Sequence, residues 1–175
     1  MESQIHKIHQ QLVSKEITCL LLVQERLRLL KTNKHATVNS LLDISALDLL
    51  QFNCGSNQLT TLDVSNQINL TVLNCAGNQL SSLNLSNLTN LVSVWCMNNQ
   101  LTTLDASNLQ SIYMLNCNNN KLTETAVNNI LIACDALNTS DKFLFLEQGE
   151  NAAPSGDGLT AKASLISKGW TVDTN

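Results

Sequence analysis

An α/β repeat fold, a short solenoid of stacked coils, is predicted by three features of the sequence. Cys54, Cys75, Cys96 and Cys117 stand 21 residues apart; Asn57, Asn78, Asn99 and Asn120 keep that step; Leu59, Leu80, Leu101 and Leu122 keep it again. A fixed period of this size marks a repeat architecture, in which one unit cannot bury its apolar face alone and neighbours must stack. The polar half repeats too, through Asp63, Asn84 and Asp105 and through Ser65, Ser86 and Ser107.

The unit reads leucine-x-x-leucine-x-cysteine-x-x-asparagine-x-leucine, as in Leu70, Leu73, Cys75, Asn78 and Leu80. This pattern resembles the leucine-rich repeat, and within it the bacterial internalin-like class that places cysteine at one inward leucine position. The resemblance covers roughly residues 42 to 137, with Phe52 and Val94 replacing a core leucine and Ile112 opening the fourth repeat. It implies a right-handed coil with a parallel sheet on the concave side and a protein-binding, non-enzymatic role.

Side-chain alternation along a short strand puts Leu73 and Cys75 on one face, which becomes the core. Repeating strands then align equivalent residues into ladders. The Asn57, Asn78, Asn99 and Asn120 ladder is structural, because an amide both donates to and accepts from backbone groups left unpaired at a sharp turn. Cys54, Cys75, Cys96 and Cys117 lack the close pairing that a zinc site favours, so they read as small buried hydrophobes, reduced rather than bridged. No metal ligand set and no cofactor site is expected.

Both ends depart from the repeat, which divides the chain into a helical cap (1–48), repeats (49–122) and an α/β capping region (123–175). Near the N-terminus, Ile5, Ile8 and Leu12, then Leu20, Val23, Leu27 and Leu30, recur at helical spacing, and a third helix from Val38 towards Leu47 is preferred. The letters Leu42 to Ser45 also suit the start of a repeat. The stretches IHKIHQQLVSKEITC and TVNSLLDISAL within residues 5–47 resemble the N-terminal helices of the amidase-family component of glutamyl-tRNA(Gln) amidotransferase. That family's Ser-Ser-Lys catalytic signature has no counterpart in the chain, so amidase activity does not carry over, and the segment is read either as a cap or, alternatively, as an inactive fusion fragment.

Beyond the repeats, Thr123 or Thr125 caps a helix through Val127, Ile130, Leu131 and Cys134, followed by a strand over Phe143 to Leu146. A loop through Asn151, Pro154 and Gly158 then leads to a helix around Ala161 to Lys168, ended by Gly169, and a closing strand at Trp170 to Val172. The final segment resembles tails that close repeat proteins of bacteria and their phages, which keeps a structural or adhesin role at a cell surface or virion as the alternative function.

Composition narrows the partners. Charged residues make up 14% of the chain and the net charge is −4, which offers no basic field for nucleic acid. No apolar run approaches the roughly 20 residues that span a bilayer, and no secretory leader is recognised, so the expected location is cytoplasmic. No catalytic residue is assigned: His6 and His9 lack the H-E-x-x-H arrangement, and Gly156, Gly158 and Lys162 lack phosphate-loop spacing. The partner is expected to be a protein, met by the outward sheet positions. These are Gln51, Val72, Ser93 and Met114; Asn53, Asn74, Trp95 and Asn116; and Gly55, Ala76, Met97 and Asn118. Trp95 interrupts a column of asparagines beside Met97 and Met114, as an exposed anchor or as cover for neighbouring backbone.

Overall fold

Residues 48–175 are described by the computed structural model, so the helices expected within residues 1–47 and the resemblance carried there lie outside the described residues. The repeat dictates the strand pattern. Each coil contributes a three-residue strand whose middle residue points inward: β1 Gln51–Asn53, β2 Val72–Asn74, β3 Ser93–Trp95 and β4 Met114–Asn116. The strands pair in parallel, Gln51 with Val72, Val72 with Ser93 and Ser93 with Met114, so the sequence period becomes the sheet register without slippage.

The core is a stack of columns. Leu49, Leu70, Leu91 and Ile112 form one; Phe52, Leu73, Val94 and Leu115 the next; the four cysteines a third. All are buried, and each large side chain removed from water contributes about 1.5–3 kcal/mol before chain entropy is counted. Leu80, Leu101 and Leu122 close the far wall, while Leu59 and Leu62 in the first coil stay half-buried.

A tight bend follows each strand. Ser56, Gly77, Asn98 and Asn119 occupy equivalent places and all take left-handed φ, between 53° and 66°. Glycine and asparagine tolerate that region best, and their recurrence there reflects it.

Past Leu122 the sheet continues while the connections change. Helix α1, Glu124–Asp135, starts at Thr123, whose hydroxyl accepts from Ala126 N at 3.2 Å, as the sequence anticipates. Strand β5, Phe143–Leu146, pairs in parallel with β4, and β6, Thr171–Thr174, pairs with β5, giving one sheet in the order β1-β2-β3-β4-β5-β6.

Helix α2 spans Gly156–Ser167 rather than starting near Ala161, so Gly158 is helical and not a loop residue. The reason is steric: Gly158 packs against α1, where a Cβ would fall 3.1 Å from Asn128 Cα and closer still to its amide. The closing strand likewise begins one residue later than expected, because Trp170 is a buried anchor whose indole N–H donates to Thr139 O at 2.8 Å.

Candidate functional site

Two surfaces of each strand divide the labour. The inward one is occupied by the ladders. Asn78 Nδ2 donates to Cys54 O and Cys75 O, each at 3.0 Å, and its Oδ1 accepts from Leu59 N at 3.0 Å. Asn99 and Asn120 repeat this set one and two coils on, with Leu80 N and Leu101 N as the donors. Each amide thus ties three backbone groups from two coils. Asn57, the first rung among the described residues, is half-buried and among them bonds Cys54 O and Gly55 O of its own coil. A fifth rung escapes the 21-residue period: Asn151, expected in a loop, is buried, donates to Cys117 O and Leu146 O and accepts from Leu122 N.

Cys54, Cys75, Cys96 and Cys117 are buried, and Cys75, Cys96 and Cys117 are free thiols. Cys96 Sγ lies 3.3 Å from Cys117 Sγ as a hydrogen-bonded pair of thiols. That bond, followed by burial, holds the Cys96 thiol well above the ordinary range, and burial does the same for Cys75. Burial pushes Cys134 in α1 up to about 12. Such thiols stay protonated and unreactive at neutral pH.

The outward surface is the candidate interaction face. Asn53, Asn74 and Asn116 project there, but each amide oxygen accepts from the N–H two residues on, of Gly55, Ala76 and Asn118, at 3.0–3.1 Å. Their oxygens therefore serve the local turn first. Trp95 stands in the same column without such an acceptor, and Met97 N–H, the equivalent donor, has no partner among the described residues. In the next coil Asn118 Oδ1 is a buried acceptor without a partner among them. Trp95 itself is half-buried rather than exposed, as are Met97 and Met114.

Sequence spacing alone missed the rest of this face. Met114 pairs with Phe143 and Asn116 with Phe145, so β5 carries two aromatic side chains into the outward columns, stacked with ring centroids 6.3 Å apart. Tyr113, exposed at the strand entry, meets Phe143 edge-on at 5.5 Å. Of the three phenylalanines, two tryptophans and one tyrosine in the chain, Trp95, Tyr113, Phe143 and Phe145 gather on or beside this face. The strand over Phe143–Leu146 was legible; its register against β4 was not, because a helix of 12 residues intervenes.

Comparison with known proteins matches this architecture. The family described as leucine-rich repeats (two copies) matches residues 68–110. A functional domain of InlJ from Listeria monocytogenes, whose description includes a cysteine ladder, superposes with a TM-score of 0.56 at 26% identity, over 74% of this chain and 26% of that one. The chain carries leucine-rich repeats and is similar in fold to the internalins. An internalin, InlF, from the same organism shares the fold, with a TM-score of 0.53, 20% identity and coverage of 72% of this chain and 35% of its own. This chain thus spans about a quarter to a third of the length of those chains. No curated protein sequence matches the chain. Among the described residues no helix is long and apolar enough to cross a membrane, and no group of histidine, cysteine or acidic side chains is arranged to hold a metal.

Proposed function

We propose that this chain is a non-enzymatic protein-binding module whose concave sheet face, centred on Trp95, Met97, Met114, Phe143 and Phe145, docks a polypeptide partner. The observation that carries this reading is the break at Trp95. Asparagine at that position closes a hydrogen bond in the coils on either side, whereas tryptophan leaves Met97 N–H without one among the described residues and sets an aromatic surface in its place. A residue that costs local hydrogen bonding yet sits among other surface aromatics is explained by contact with a partner. Aromatic side chains and methionine are enriched at such interfaces because they bury much area at low entropy cost.

The decisive variant is Trp95→Asn. It restores the repeating turn, so the protein is expected to unfold at equal or slightly higher urea concentration, by about 0.5–1 kcal/mol for one regained hydrogen bond. Affinity capture with the full chain, quantified by mass spectrometry, is expected to recover its specific partner at least about tenfold less well with this variant, as for loss of a hot-spot aromatic. Equal recovery by parent and variant removes Trp95 from the interface and with it the reading.

A further inference from the structure

The charges in the outward columns lie, among the described residues, at one end and have one sign. Among the described residues, the only ionisable groups in the outward columns along its strands are Asp173, the register partner of Phe145, and Glu147, two residues beyond Phe145. Neither is ion-paired among the described residues; Glu147 Oε1 accepts only from Gln148 Nε2, at 3.3 Å. The nearest column at the strand entry holds Lys142, but its ammonium is committed elsewhere, donating to Ile112 O at 2.6 Å and lying 5.8 Å from the Trp170 ring centre. An aromatic ring beside two carboxylates that form no ion pair among the described residues complements a positive charge both by Coulomb attraction and through the ring face.

We infer that the partner presents an extended basic segment, a lysine or arginine seated on Phe145 between Glu147 and Asp173, with an apolar side chain on Trp95. This deepens the protein-binding reading and rests on it. The spacing is set by the sheet. Trp95 lies two strand steps from Phe145 and three from Asp173 in one column, about 10–14 Å, which an extended chain covers in about three to four residues. An apolar residue and a basic one three or four positions apart is therefore the pattern that fits. The other end of the face, Asn53 and Asn74 with Gly55 and Ala76, is neutral and contributes no charge preference.

The test uses the full chain and a fluorescein-labelled nine-residue peptide, Lys-Ser-Leu repeated three times, with counterparts in which every lysine is glutamine or glutamate. Anisotropy titrations are run at about 50 mM and about 500 mM salt, where screening separates charge attraction from apolar contact. The lysine peptide is expected to bind more tightly than either counterpart, and less so at high salt. The double variant Glu147→Gln/Asp173→Asn is expected to raise its Kd about tenfold, and Phe145→Ala by a similar factor. Asp157→Asn, an acidic change on α2 away from the face, is expected to leave Kd unchanged. Equal binding of the glutamine peptide, no binding of the lysine peptide, or a loss with Asp157→Asn as large as with the double variant each overturns the inference. If Trp95→Asn weakens all three peptides alike while the acidic double variant changes nothing, the basic-partner inference fails and the face reading stands.

Discussion

In the repeats, the ladder asparagine follows the inward sulfur by three residues, Asn120 after Cys117; in the C-terminal segment Leu146 stands in the sulfur column and Asn151 follows it by five. The two extra residues are absorbed at Gln148 and Gly149, both left-handed with φ 67°. Gly149 also passes so near Asn119 that a Cβ would sit 2.7 Å from its Cα, which leaves glycine as the residue that fits. Yet the amide of Asn151 arrives at the same three kinds of backbone group as its predecessors. What is held constant along the solenoid is the set of buried backbone groups needing partners, and the chain length between them adjusts.

The sharpest way to break this equivalence is to delete the amides. Asn99→Ala leaves Cys75 O, Cys96 O and Leu80 N short of a partner in the core, and the expected loss is about 3 kcal/mol in urea unfolding. Asn151→Ala removes a matching set and is expected to cost about the same in one cooperative transition. Asn57→Ala, at a half-buried rung bonded within its own coil, is expected to cost only about 1 kcal/mol. If Asn151→Ala costs no more than Asn57→Ala, the C-terminal coil is an appendage and not a continuation of the stack.

The same contrast explains how much was legible in the letters. Where the step is constant, as from Cys96 to Cys117, periodicity predicts strand, register, core column and outward face together, since each derives from the one before. After Thr123 the elements remain visible, a capped helix and an apolar strand, but local pattern carries no information about which strand residue pairs with Met114. Thus Phe143 and Phe145 could be read as strand residues and not as part of the candidate face. Asn151 was hidden for the same reason, two of its three partners lying 29 and 34 residues away. Met97 N–H was hidden differently: its missing partner shows only when the asparagines of the adjacent coils are seen bonding to their own backbone.

A smaller effect sharpens the comparison of the sulfur column with its leucine successor. Cys96 is buried against Cys117, and Cys96→Ala removes one heavy atom from a packed stack, with an expected loss of about 1–2 kcal/mol. The Cys75, Cys96 and Cys134 thiols should also resist alkylation by iodoacetamide until denaturant opens the fold, because they are buried and protonated. Rapid labelling of Cys96 in the folded protein would mean that the column opens locally, unlike the Leu146 coil.

The smallest effect lies on the outer bends, where the repeats supply their own control. Asp63 and Asp105 accept from Ser65 N and Ser107 N, and Asn84 does the same for Ser86 N without a charge. Bonds from the side chain and then the backbone of Ser65 lower the Asp63 pKa below 3.8, and those of Ser107 do so for Asp105. A carboxyl depressed on folding adds stability above its unfolded pKa and loses it as pH falls through the folded one. These two bends should therefore weaken below about pH 4, while the Asn84 bend does not. Both carboxylates are exposed, so the contribution is small and best read as a difference in slope. Asp63→Asn/Asp105→Asn should match the parent at neutral pH and flatten the acid limb of its urea midpoint against pH. An acid limb as steep in the double variant as in the parent would place the loss in other carboxylates, such as Asp135, which burial raises and Lys168 at 2.6 Å pulls down to a net lowered pKa. The acid sensitivity would then belong to the helical end of the molecule and not to its repeats.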